Sequence, residues 1–412
     1  MIQYSRSTLK NGLTVIVHTD KSTPFVCVNT LYKVGSRNES EDKTGFAHLF
    51  EHLMFGGSVN IPDFDREVQM AGGENNAYTT FDYTNYYTTL PAANLETALW
   101  LESDRMMQLA FSQQSLNVQK NVVVEEFKQR YLNAPYGDVW THLRPLAYHV
   151  HPYKWNVIGK DPEHIERATL DDVRSFFRRF YAPNNAVVVL TGNIEEKQAF
   201  ELVEKWFNDI PATDSIAQNI PAEPLQNEAR RLVLTDNNVP AHALYKVYHT
   251  GGRTSEDFYA CDLISDILSN GNSSRLYQNL IKKEIFSSLD AYVTGDFDPG
   301  LFVFSGRISP SITPEEADNA ILNEIDSFIN ATITDRELEK VLNKAEARSK
   351  YSEINYQNKA ANLALYEAMG NVELINTEID IYKQFTIADL KRFAAEILNP
   401  INCSTLMYLG KL

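Results

Sequence analysis

Short alternating runs of apolar and polar residues open the chain, and helical spacing takes over further along. Leu13-Thr-Val-Ile-Val17, fed by the turn signal Asn11-Gly12, reads as a strand. Val26-Cys-Val-Asn-Thr-Leu-Tyr-Lys-Val34 alternates as a second strand. Glu96–Met107 and Leu116–Tyr131 place apolar residues at three-to-four spacing among good helix formers. Thr169 with Asp172 is a helix N-terminus of the capping-box kind, with Asp in the usual Glu position. Ala186-Val-Val-Val-Leu190 is a strand-sized apolar run.

The same pattern is written twice. Leu31-Tyr-Lys-Val34 recurs as Leu244-Tyr-Lys-Val247, an offset of 213. Thr169-Leu-Asp-Asp-Val-Arg-Ser-Phe176 recurs as Thr386-Ile-Ala-Asp-Leu-Lys-Arg-Phe393, an offset of 217. Each second echo runs on into a Pro-Asn-type turn and a strand, Ala186–Leu190 in one case and Ser404–Leu409 in the other. Nearly equal offsets indicate two homologous domains. The order strand, strand, helices, strand predicts an α+β fold, each domain a mainly antiparallel sheet covered by helices. Residues 1–210 form the first domain and 229–412 the second. Residues 211–228, rich in proline and small residues, read as the linker.

Composition narrows the function. The chain has 412 residues and a formal net charge of −16, divided as −6 over residues 1–210 and −10 over 211–412. That acidity argues against nucleic acid or an anionic membrane as the main partner and suits a basic or neutral peptide. No apolar run approaches the ~18 residues of a membrane span. Cys27, Cys261 and Cys403 are too scattered for a disulfide framework and read as buried reduced thiols. The opening Met1-Ile-Gln-Tyr-Ser-Arg-Ser shows no basic region followed by an apolar stretch. A cytoplasmic location is expected, or a periplasmic one for a processed form.

His48-Leu-Phe-Glu51-His52 carries the chemistry. On a helix, positions i and i+4 share a face, so both imidazoles reach one ion, and Glu51 neighbours that face. Two neutral imidazoles beside a carboxylate suit zinc (Zn2+). The order H-x-x-E-H is the inverzincin motif.

The surrounding segment Thr44-Gly-Phe-Ala-His48-Leu-Phe-Glu-His52-Leu-Met-Phe-Gly-Gly-Ser58 resembles the signature of the pitrilysin-type zinc metallopeptidases, which include insulin-degrading enzyme, mitochondrial processing peptidase and short bacterial members. Gly72-Gly73 with Asn76-Ala77-Tyr78-Thr79, then Thr84-Asn-Tyr86, His151-Pro-Tyr153 and Ile158-Gly159 follow in the family's order. So do Tyr181-Ala-Pro183-Asn184 and Leu190-Thr-Gly192-Asn193. The resemblance implies a pitrilysin/LuxS-like metallohydrolase fold and a zinc metalloendopeptidase acting on unfolded peptides. It implies a third metal ligand on a downstream helix. Two adjacent glutamates, Glu125 and Glu126, compete there, and registering Asn121–Phe127 on the family pattern selects Glu126. Where family members carry a second acid earlier on that helix, this chain has Gln119. Glu51 is then the general base. Asn76, Ala77 and Tyr78 belong to an edge strand that pairs with extended substrate.

The second half departs from the pattern. Its counterpart of the metal helix, near Cys261–Leu268, has no histidine. Many family members carry instead, further along the second half, an Arg and a Tyr, seven residues apart, that bind the substrate carbonyl. Here those positions are Ile281 and Ser288, and the nearby Arg275 and Tyr277 read as structural. The resemblance therefore implies the zinc-bearing subunit of a heterodimer, enclosing substrate with a homologous, zinc-less chain that supplies the Arg/Tyr pair. A homodimer, with other donors such as Tyr292, is the alternative. A role as a non-catalytic core subunit of a respiratory complex is the alternative from another class.

Overall fold

The computed structural model describes residues 1–214 and 219–410. Positions 215–218 of the proposed linker lie outside the described residues. In chain order the first half contains β1 (Ser5–Thr8), β2 (Thr14–Thr19), β3 (Phe25–Tyr32), α1 (Phe46–Leu53), α2 (Phe64–Met70), β4 (Glu74–Thr79) and β5 (Thr84–Pro91). It continues with α3 (Leu95–Met107), α4 (Gln113–Phe127), α5 (Val139–Ala147), α6 (Pro162–Glu166), α7 (Leu170–Phe180), β6 (Ala186–Gly192) and α8 (Glu196–Phe207). The second half contains β7 (Arg230–Thr235), β8 (Ala243–His249), α9 (Glu256–Ser269), β9 (Phe286–Val293), β10 (Leu301–Ile308), α10 (Pro314–Asn330) and α11 (Asp335–Ser352). It closes with α12 (Tyr356–Ala368), α13 (Leu374–Tyr382), α14 (Ile387–Ile397) and β11 (Cys403–Leu409).

The first sheet runs β1-β2-β6-β3-β5-β4 and the second runs β7-β11-β8-β10-β9. Apart from β1, each strand of one has a counterpart in the other, and in both only one pair is parallel, β2 with β6 and β7 with β11. The repeat is equally visible in the caps. Thr169 and Asp172 close a reciprocal capping box at α7, and Thr386 and Asp389 close the same box at α14. The fold is the α+β pair of homologous domains that the repeat predicts.

The compact units are not the linear halves. One comprises Met1–Gln129, Trp155–Ile220 and Lys350–Thr377, and the other Arg130–Lys154, Pro221–Ser349 and Glu378–Leu412. The division at residues 210 and 229 describes the sequence repeat, whereas packing exchanges one segment each way. In the first unit, Ala360, Leu363 and Ala364 of α12 pack on Ile16, Cys27, Leu31, Val187 and Val189 of the sheet. Burying Leu363 alone contributes roughly 1.5–3 kcal/mol. In the second unit, α5 lies against β11, β7 and β8. There Arg230 donates to the carbonyls of Leu146 and Ala147, at the C-terminal end of α5 where a cation is favoured. Cys27, Cys261 and Cys403 are buried free thiols. Among the described residues no helix is long and apolar enough to cross a membrane.

Candidate metal centre

Helix α1 begins at Gly45, which stands at φ +87°. A Cβ there would meet the carbonyl oxygen of Ile158 at 2.5 Å, so only glycine permits this entry. Glu39, which is buried, accepts from the backbone N–H of Gly45 and of Ala47, 2.8 Å each. Burial pushes its carboxyl up to about 8, against the pull of those donors. The helix N-terminus thus receives an acceptor that the Gly45 side chain does not supply.

Along α1, Phe46, Ala47, Leu49, Phe50 and Leu53 are buried. Phe50 stacks on Phe176 of α7 and on Tyr181, with ring centroids 5.1 and 4.9 Å away. That packing fixes the rotation of the helix. His48, Glu51 and His52 are left on the half-buried remainder. Helix α4, in which Leu116, Val123, Val124 and Phe127 are buried, packs against α1 and α6 and places Glu126 beside the histidines. Two residues beyond Glu126, the helix widens into a π-turn over Lys128–Leu132, where the sequence pattern predicts continuous α-helix to Tyr131. Such turns commonly accompany functional sites.

The carboxylate Oε2 of Glu126 lies 3.7 Å from Nε2 of His48 and 3.5 Å from Nε2 of His52. One ligand atom from each of the three lies within 4.8 Å of the others, and this is the one such group among the described residues. Tetrahedral ligands about 2.1 Å from a zinc ion sit about 3.4 Å apart. The donor set and its spacing therefore fit zinc. Glu125, by contrast, is exposed and pairs with Lys128 at 2.7 Å. Gln119 is half-buried on the same helix.

Glu51 stands between the metal triad and the sheet. Its Oε2 accepts from Thr79 Oγ1 at 2.6 Å. Burial raises its carboxyl above the ordinary value, while the Thr79 hydrogen bond and the neighbouring His52 pull it down. Thr79 ends β4, which is the last strand of its sheet and pairs on one side only, with β5. Along β4 the exposures alternate. Ala77 and Thr79 share the half-buried face, and Asn76 and Tyr78 the exposed one. The Ala77 N–H donates to Asn76 Oδ1 at 2.8 Å. The structure thus brings together His48, His52, Glu126 and Glu51, sets the β4 edge beside them through Thr79, and leaves Asn76 and Tyr78 pointing away from that face. Thr79 and Glu39 are the site residues without a role in the sequence reading. Thr79 has a signal there, since period two puts it on the face of Ala77. Glu39 has none.

In the second unit α9 takes the place of α1, following β8 as α1 follows β3. It carries Asp262 and Asp266 at the same four-residue spacing as the histidines. Tyr382 donates to Asp262 at 2.7 Å and Arg348 to Asp266 at 2.8 Å. Ile281 ends a π-turn and Ser288 is exposed on β9. Arg275 is held by Glu337 at 2.8 Å.

Residues 14–155 match the family Insulinase (Peptidase family M16), and residues 167–345 match the Peptidase M16 inactive domain. A zinc protease of Helicobacter pylori, PqqE, is 34% identical over 340 residues, 81% of this chain and 76% of the relative. The chain belongs to peptidase family M16. The probable mitochondrial-processing peptidase subunit beta of Arabidopsis thaliana is 26% identical over 311 residues, 72% of this chain and 58% of its own length. The crystal structure of a protease from Helicobacter pylori superposes with a TM-score of 0.93 at 30% identity, covering 99% of this chain and all of that one. The M16 inactive-domain match falls on the part of the chain that includes α9, where aspartates stand at the histidine spacing.

Proposed function

We propose that this chain is a zinc metalloendopeptidase that hydrolyses unfolded peptides. The observation that carries the reading is the convergence of His48, His52 and Glu126 on one point, with Glu51 beside it and the open edge of β4 next to Glu51. A zinc ion held by the three would supply Lewis-acid polarisation of the scissile carbonyl and a lowered pKa for water. Glu51 takes a proton from the attacking water and returns it to the nitrogen of the leaving amine. The β4 edge pairs with the main chain of an extended peptide, so recognition is broad in sequence. Asn76, Ala77 and Tyr78 border that edge, and Asn76 Oδ1 gives way from the Ala77 N–H when a peptide carbonyl arrives.

The chain acts as the zinc-bearing subunit of a heterodimer. Ile281 and Ser288 leave the second half without the Arg and Tyr donors of the family, and a homologous zinc-less chain supplies them. The test is turnover of a quenched fluorescent peptide. Chelator-stripped protein is expected to be inactive and to recover with one equivalent of zinc. Addition of a homologous chain bearing the Arg/Tyr pair is expected to raise turnover further. Full activity of the chain alone contradicts the heterodimer, and activity unaffected by stripping contradicts the zinc peptidase.

A further inference from the structure

Glu51 is anchored from outside its own helix. A glutamate side chain has three rotatable bonds, and a general base works only when its oxygen is held within reach of the proton it takes. Among the described residues its side-chain hydrogen bond comes from outside α1, and His52 of the same helix acts on it through charge. The anchor comes from the sheet, where Thr79 Oγ1 donates to Glu51 Oε2 at 2.6 Å and the Thr79 backbone N–H faces the same carboxylate. A hydroxyl at this distance from a carboxylate is a short, charge-assisted hydrogen bond. It occupies one carboxylate oxygen and leaves the other for water.

We infer that Thr79 is a positioning residue that fixes Glu51 for proton transfer, and that through it the edge strand β4 aims the base. The inference rests on the peptidase reading of the site. Thr79 lies two residues beyond Ala77 on the same face of β4, so a peptide lying along that edge stiffens the strand that holds Glu51. Interactions remote from the scissile bond then act on turnover as well as on binding. Loss of a short peptide's contacts with β4 lowers kcat, not only affinity.

Thr79→Val removes the hydroxyl while keeping size and strand preference, and Thr79→Ser restores it. The inference expects Thr79→Val to lose roughly tenfold to a hundredfold in kcat, the scale of one hydrogen bond to a charged group. KM is expected to stay within about twofold of wild type, zinc content at one per chain, and Thr79→Ser to recover most of the loss. Crystal structures of wild type and Thr79→Val give a readout independent of turnover. The Glu51 carboxylate is expected to leave its position when the hydroxyl is removed. An unmoved Glu51, an undiminished kcat in Thr79→Val, or a Ser variant as poor as Val overturns the inference. Inactivity of the zinc-loaded wild type would instead overturn the peptidase reading, and the Glu51 position would still decide the role of Thr79.

Discussion

Lys359 of α12 places its Nζ 2.7 Å from Oδ2 of Asp20, at the end of β2. The two are 339 residues apart in sequence. Both side chains are largely buried, and the Lys359 hydrogen bond holds the Asp20 carboxyl well below the usual carboxylate range. A depressed carboxyl contributes stability at pH values above its unfolded pKa, about 3.9, and loses it as pH falls toward the folded value. Lowering the pH from 5 to 3 is therefore expected to loosen α12 from the first sheet. Asp20→Asn is expected to cost on the order of 1–2 kcal/mol at pH 7 and less at pH 3, where only the first part of the contribution has been lost because the folded carboxyl titrates lower still. Urea melts at the two pH values check this, and an equal cost at both contradicts it.

Adjacent glutamates on α4 face different surroundings. Glu126 meets the two histidines, whereas Glu125 is exposed beside Lys128. Glu126→Gln is expected to weaken zinc binding by more than about a hundredfold, since even outer residues of zinc sites cost 10–100-fold. Glu125→Gln is expected to leave it unchanged, because an exposed pair of this kind contributes under about 1 kcal/mol. Competition with a fluorescent zinc chelator measures both. Equal loss in the two variants would remove Glu126 from the ligand set.

Gly45 sets the entry of the metal helix. Replacement by Ala forces φ +87° on a residue with a Cβ and drives that atom to 2.5 Å from the Ile158 carbonyl. Gly45→Ala is expected to destabilise the protein by about 1–3 kcal/mol and to lower zinc affinity as α1 shifts. Thermal unfolding and zinc titration of the one variant check both. A variant with wild-type values for each contradicts the role given to this turn.

The sequence pattern carries His48, Glu51 and His52 because their chemistry depends on local helical spacing alone. It carries the repeat for a similar reason, since the capping boxes at Thr169 and Thr386 are written in four consecutive residues each. Glu126 is different. It lies 74 residues beyond His52, and only resemblance separates it from Glu125, whereas the packing of α4 on α1 separates them at once. Glu39 was not legible, because it serves backbone N–H groups, which every residue has. The exchange of α5 and α12 between the units was not legible either. Nothing local in either helix states which sheet its buried residues will meet. The motif groups Asn76 and Tyr78 with Ala77, but the pleat of β4 puts them on its other face.

Turnover by zinc-loaded Glu51→Gln tests the central claim most directly. The variant keeps the shape of the side chain and removes the basic oxygen, so it is expected to hold one zinc per chain with wild-type affinity. Peptide hydrolysis is expected to fall by at least about a hundredfold, the lower end of what a general base supplies. Hydrolysis near the wild-type rate, with zinc occupancy verified on the same sample, would contradict the assignment of Glu51 and with it the chemistry proposed for the site.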